Sequence, residues 1–319
     1  MGEDRLGATP MRLLWIVPGL ATAALAACGS GAPPDSARPA AAKQWTIGIY
    51  AGPSPLRLAP AEGASQPALS PADVTDLAAD VAAHPFLAVA DGRYHLFFTV
   101  KNTKAKEGGI GWADSPDGLR WTYRKIVLDE PYDLAYPFVL RDGDEWYMIP
   151  ETHTEPTLRL YRATRFPDRW TFEKELLRGD RYISASVVRF RDAWWMFVGR
   201  PGNATLRLFR APDLKGDWTE HPRSPIVADD LNTARPAGRP LVVDGVLYRL
   251  AQDCHPTYGN RVLAFRVDEI TPTAYRETPI EPPLVEASSR GWNSDAMHHV
   301  DAHPIAPNRW LAAVDALGR

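Results

Sequence analysis

The sequence predicts an all-β fold, a five-bladed β-propeller closed by strands from both of its ends, and two recurring phrases predict it. The first is a turn followed by an aromatic-rich strand: Asp91-Gly92-Arg93-Tyr94, Asp142-Gly143-Asp144-Glu145-Trp146, Arg191-Asp192-Ala193-Trp194, Asp244-Gly245-Val246-Leu247-Tyr248 and Pro307-Asn308-Arg309-Trp310. Asp-Gly and Asn-bearing turns accept positive φ, so each copy reads as a hairpin. The second is a strand leading to a ring-bearing strand: 109–114 to Trp121, 158–163 to Trp170, 206–211 to Trp218 and 262–267 to Tyr275. The copy missing near Trp310 is supplied by Trp45-Thr46-Ile47-Gly48-Ile49-Tyr50, which resembles it. A repeat of about 50 residues is that of a propeller blade, and a ring closed by both ends removes the exposed sheet edge.

The 319 residues divide into three stretches. Residues 1–28 read as an export signal, in which Arg5 and Arg12 precede a mostly apolar run from Leu13 to Ala27 that ends in Leu25-Ala26-Ala27-Cys28-Gly29. That run is too short to anchor by spanning a bilayer. Its end resembles the lipobox of bacterial lipoproteins, which implies cleavage before Cys28, lipid on its thiol and an extracytoplasmic, membrane-anchored location. Residues 29–44, rich in Gly, Ser, Pro and Ala, read as a flexible linker. Residues 45–319 read as one propeller domain. With Cys28 committed to lipid, Cys254 has no partner for an intrachain disulfide. The balance of 36 basic against 39 acidic residues, a formal charge of −3, offers no basic field for nucleic acid.

Each hairpin follows an inner strand, and four of these start with a residue, a proline and an apolar residue: His84-Pro85-Phe86, Tyr136-Pro137-Phe138, Arg239-Pro240-Leu241 and His303-Pro304-Ile305. Ala185-Ser186-Val187 stands in the remaining copy. Proline at a strand start costs no ladder bond, and equivalent positions of a propeller ring its channel. The next, antiparallel strand ends at the same rim, which brings Thr99, Glu151 with His153, Arg200, Gln252 with Asp253, and Asp315 there. The channel mouth is the expected ligand site. Glu151 and Asp253 are its acid–base candidates, and His84, Tyr136, His153, Arg235, Arg239, Gln252, Asp301 and His303 its substrate-binding candidates. Two guanidinium forks, Arg235 and Arg239, suit a carboxylate or phosphate.

His299, Asp301 and His303 alternate, so on a strand they share a face that could hold a divalent metal. Lacking a fourth ligand, they are read as hydrogen-bonded rim residues, and no metal or cofactor is assigned. Cys254 reads as a small buried hydrophobe. The tryptophans at 112, 121, 170, 194, 195 and 218 read mostly as packing between blades.

These phrases, with Met148-Ile149-Pro150-Glu151-Thr152-His153, Arg235-Pro236-Ala237-Gly238-Arg239, Ala251-Gln252-Asp253-Cys254 and Asp301-Ala302-His303, resemble the N-terminal domain of plant glucosamine inositolphosphorylceramide transferases, also found as stand-alone bacterial proteins. In the plant enzymes the resemblance assigns transfer chemistry to a separate C-terminal glycosyltransferase domain, so transferase activity is not expected of this sequence. The architecture also resembles the five-bladed glycosidases of the arabinanase and β-xylosidase type, which place carboxylates at the inner ends of their first three blades. His84, Tyr136 and Ser184-Ala185 stand there instead. Two readings follow: a propeller that binds a glycan or glycolipid at its channel mouth and touches the membrane only through its lipid, or a glycoside hydrolase using relocated carboxylates. A scaffold for protein partners is a third, and it leaves the clustered rim groups unexplained.

Overall fold

The computed structural model describes residues 42–152 and 154–319, so Cys28, most of the expected linker and His153 lie outside the described residues. The described residues are all-β, with two short 3-10 turns among them, Pro71–Asp73 and Gly291–Asn293. Each expected hairpin forms: Val81–Ala90 with Arg93–Asn102, Ala135–Asp142 with Glu145–Glu151, Ile183–Phe190 with Ala193–Gly199, Leu241–Val243 with Val246–Asp253, and Ala296–Ala306 with Arg309–Gly318. The turn residues Asp91, Asp244 and Asn308 take φ values of 50°, 50° and 54°, the left-handed region that the turn chemistry anticipates, and Arg191 joins them at 55° without a Gly or Asn in its turn.

Hydrogen bonding groups the strands into four sheets, none closed on itself among the described residues. Thr157–Arg165 and Arg169–Arg178 complete the second repeat, Leu206–Ala211 and Thr219–Glu220 the third, and Arg261–Ile270 and Tyr275–Glu286 the fourth. The remaining sheet has eight strands and contains two repeats. Within it, Gln44–Ser54 pairs antiparallel with Arg309–Gly318 from Gln44↔Gly318 to Gly52↔Trp310. It meets the first repeat through a single parallel pair, Trp45↔Val81. The recurring tryptophans lock turns: the indole N–H of Trp121 donates to Gly118 O, that of Trp170 to Pro167 O and that of Trp218 to Leu214 O.

The inner strands share one irregularity. Pairing skips between Ala83 and Phe86, between Ala135 and Phe138, and between Ile183 and Ser186, so two residues face one on the partner strand. The first bulged residue is His84, Tyr136 or Ser184, with φ of 50°, 47° and 51°. Proline follows in two of them, where a missing N–H costs no ladder bond. In the last repeat the bulge lies between Ala296 and His299, at Met297-His298, ahead of the expected His303-Pro304. In the fourth it widens into the stretch around Gly238, ahead of the expected Arg239-Pro240. Asp91 stands seven residues after His84, whereas Asn308 stands only five after His303, so His303 cannot occupy the equivalent place.

Gly238 marks the tightest approach between repeats. Its φ is +134°, and an added Cβ would meet the Val300 carbonyl oxygen at 1.8 Å. Gly238→Ala is therefore expected to cost about 3 kcal/mol or more, or to prevent folding. Gly245→Ala, at a turn with φ +77° and nothing near its Cβ, should cost about 1 kcal/mol. Urea denaturation of the two variants side by side checks this, and equal midpoints would contradict it.

Candidate functional site

A left-handed residue turns its backbone N–H out of the ladder, and that group needs an acceptor. In three repeats the acceptor comes from the preceding repeat, at the end of its second strand. His84 N donates to Asp315 Oδ2 at 2.8 Å, Tyr136 N to Thr99 Oγ1 at 3.0 Å, and Ser184 N to Glu151 Oε2 at 2.9 Å. These side-chain clasps stitch successive repeats together around one mouth, the strand-start mouth. Thr99, Glu151 and Asp315, expected at a single rim, meet there.

Arg235, 8% exposed, enters the same mouth. Its Nε donates to Ser184 Oγ at 3.2 Å and its Nη1 to Asn203 Oδ1 at 2.9 Å, and it lies 3.7 Å from Glu151. Its guanidinium sits 5.3 Å from the ring centre of Tyr258, whose residue is 42% exposed. Gln252 pairs with Arg235 across the strands and is buried. Asp253, also buried, accepts from Asn232 Nδ2, His255 N, Asn260 Nδ2 and Arg261 Nε, which makes it the clamp of its loop. Cys254 is half-buried, and burial raises its thiol pKa.

His298 and Asp315 complete the mouth. His298 Nδ1 lies 2.6 Å from Asp315 Oδ1, and Trp45 stacks on the His298 ring at 3.8 Å. Strict strand alternation points His298 away from His299, but the bulge brings both rings near His84, at 4.7 and 6.0 Å. The His-His doublet beside the strand start was the signal available in the sequence.

Below this layer the axis is filled. Phe86, Phe138, Tyr136 and His299 pack ring against ring at 4.6 to 5.2 Å. The Tyr136 hydroxyl shares a hydrogen bond with Ser186 Oγ and accepts one from Gly238 N. His299 Nε2 donates to Pro85 O at 2.9 Å, leaving its buried Nδ1 without a partner.

Arg239, Asp301 and His303 lie beyond that plug, toward the hairpin-turn mouth. Asp301 accepts from Leu87 N, Arg239 and His303. Burial pushes its carboxyl pKa up, but Arg239 and His303 outweigh that and hold it below the usual carboxylate range. Arg239 also donates to Val139 O and covers the Phe138 ring. Thus His84, Tyr136, Glu151, Arg235, Gln252 and Asp253 converge on the strand-start end. Arg239, Asp301 and His303 do not join them, and the two arginines form no single anion clamp. His299, Asp301 and His303 share a face, but His299 turns to Pro85 O while Asp301 takes up His303, Arg239 and Leu87 N.

An all-β chain with these bulged inner strands has the fold of the glycoside-hydrolase propellers. A β-1,2-mannobiose phosphorylase from Listeria innocua matches with TM-score 0.60 and 14% identity over 84% of this chain and 96% of its own. The GH62 α-L-arabinofuranosidase catalytic domain of Coprinopsis cinerea matches with TM-score 0.56 and 13% identity over 74% of this chain and 90% of its own. In sequence, the chain belongs to the family described as glucosamine inositolphosphorylceramide transferase 1, N-terminal, which matches residues 37–317. Glucosamine inositolphosphorylceramide transferase 1 of Oryza sativa subsp. indica is 36% identical over 295 residues, 85% of this chain and 40% of the rice protein. The Arabidopsis thaliana protein of the same name is 32% identical over 296 residues, 85% of this chain and 38% of its own. The chain thus spans about two fifths of these plant relatives.

Burial pushes the pKa of His299 from 6.5 down to about 4, against the pull of Asp315 and Asp301. The unfolded chain takes up this proton near pH 6.5 and the folded chain only near pH 4. Stability therefore falls as pH drops through that window, by about 3 kcal/mol for this group. His84, lowered by burial and by His298, acts in the same direction. Urea midpoints across the window should fall with acid, and His299→Gln should reduce the slope. A variant as steep as the parent would contradict the assignment.

Proposed function

We propose that the described residues form a five-bladed propeller closed by strands from both ends, and that its strand-start mouth binds a carbohydrate without cleaving it. Five hairpins with their outer strands support the blade count, as does the pairing of Gln44–Ser54 with Arg309–Gly318. So does a cavity of about 410 Å³ at the hairpin-turn mouth, to which Leu87, Val139, Val187, Arg239 and His303 each bring one repeat.

One observation carries the ligand reading. Among the described residues, the buried His84 Nε2 and Gln252 Nε2 have no hydrogen-bond partner, and both residues belong to the strand-start mouth. A buried polar atom without a partner costs free energy that a ligand hydroxyl would recover. Tyr258, half-exposed beside Arg235, offers a ring for the apolar face of a sugar. Carbohydrate is also the common subject of the similar solved proteins, and the plant relatives are named for a sugar–inositol phosphate lipid. A glycan or glycolipid headgroup is the ligand class.

Binding rather than hydrolysis follows from the carboxylates. A glycosidase needs an acid and a base free to exchange protons with substrate. Glu151 clasps Ser184, Asp315 clasps His84 and pairs with His298, and Asp253 holds its loop with four donors. The export reading completes the proposal: lipid on Cys28 would hold the propeller at a membrane outside the cytoplasm, supported by the Leu25-Ala26-Ala27-Cys28 pattern alone. Mass spectrometry of membrane-extracted protein should show a diacylglyceryl group on Cys28, and an unmodified thiol there would remove this part.

A glycan array that includes inositol phosphate-linked sugars should give saccharide hits. On a hit, Tyr258→Ala and Gln252→Ala should each weaken binding about ten-fold, with no product formed by the parent chain. A product that disappears in Glu151→Gln would overturn the non-cleaving reading. Affinity unchanged in both binding variants would move the site away from this mouth.

A further inference from the structure

Asp315 has no exposed surface, and among the described residues its ion-pair partner within 4 Å is His298. A carboxylate taken out of water needs a cation in contact with it, either a proton held by His298 or a metal ion. The surroundings favour the metal. A second imidazole, that of His84, lies parallel to His298 with ring centres 4.7 Å apart and planes 12° apart. Stacked face to face, it turns no in-plane lone pair toward the His298 ring. Among the described residues its buried Nε2 has no hydrogen-bond partner, an expensive state for a ring nitrogen with no ion to meet. A ring nitrogen of each histidine and an Asp315 oxygen lie within 4.8 Å of one another.

We propose that His84, His298 and Asp315 bind a divalent transition-metal ion of the zinc type at the strand-start mouth. Two imidazoles and a carboxylate are the mixed nitrogen and oxygen set that such ions prefer, whereas calcium and magnesium favour oxygen alone. The ligands come from three strands, Val81–Ala90, Ala296–Ala306 and Arg309–Gly318, and are already fixed in place. Asp315 holds the backbone N–H of His84 through one oxygen and His298 through the other. Ligand atoms on a tetrahedral zinc lie about 3.3 Å apart, so the trio closes by about 1.5 Å at most. Turning the His84 ring breaks no bond at its Nε2 and gives up one contact, that of Nδ1 with Thr99 Oγ1 at 3.2 Å. Trp45 covers His298, and Tyr258 meets it edge-on at 5.3 Å, which screens the ion from water. Remaining positions are left to water or to a ligand hydroxyl.

The site shares the unpartnered His84 Nε2 with the carbohydrate reading, so its test uses the metal alone and no saccharide. The chain is stripped with chelator, dialysed and titrated with Co²⁺. One ion per chain should bind, with the intense visible bands of a four- or five-coordinate centre, and zinc should erase them while calcium and magnesium should not. His84→Ala should weaken binding about ten-fold or more while keeping a native near-ultraviolet circular dichroism spectrum. His303→Ala, beyond the aromatic plug, should bind as the parent does. Because Asp315→Asn also breaks the clasp to His84, His84→Ala carries the test. Absence of Co²⁺ binding, displacement by calcium, or equal affinity in a folded His84→Ala would each overturn the proposal.

Discussion

A backbone N–H expelled from a strand ladder must be caught, and in this protein the catch is made across the boundary between repeats. Thr99, Glu151 and Asp315 each accept from the bulged residue of the repeat that follows. Breaking a clasp leaves a donor without a partner in a buried place and frees a carboxylate in two of the three cases, so each link resists loss more strongly than a surface hydrogen bond. The bulge also re-aims the side chains beside it. His84, Tyr136 and His298 point toward the axis because their strands carry an extra residue there. The mouth and the joints between repeats are thus built from the same residues.

That economy explains where charge is tolerated. Each end of the axis holds one fully buried aspartate, Asp315 above the aromatic plug and Asp301 below it. Asp301 is matched by the guanidinium of Arg239 and by His303. Asp315 has only a histidine, and the second histidine beside it brings no fixed charge. The two ends therefore differ in kind: the lower is a settled ion pair, the upper a set of donors and acceptors not fully matched among the described residues.

Much of this was legible in the sequence. Asp-Gly and Asn turns followed by aromatic strands marked four of the five hairpins and Arg191-Asp192 before Trp194-Trp195 the other, and the likeness of Trp45–Tyr50 to the repeated phrase marked the strand that joins Arg309–Gly318. Proline misled at two places. It suits the second bulge residue in His84-Pro85 and Tyr136-Pro137, but Pro304 faces Trp310 near a hairpin turn, and the bulge it seemed to mark has none. Arg239, Asp301 and His303 were consequently read at the wrong end. His298 escaped because alternation along a strand fails where the strand bulges. The clasps were invisible for a related reason: a carboxylate at a strand end reads as solvent-facing until the neighbouring repeat is placed against it.

The pairing of Gln44–Ser54 with Arg309–Gly318 has a consequence in time. These strands sit at opposite ends of the described sequence, so the pairing is among the most non-local contacts the chain makes, and such contacts form slowly. A ribosome delivers the first of them long before the last. Until then Tyr50, buried in the cluster that holds Ala312, Val314 and Ala316, lacks those neighbours. The nascent chain carries an unsatisfied sheet edge for the whole interval, open to other chains at a time when nothing in its own sequence can occupy it.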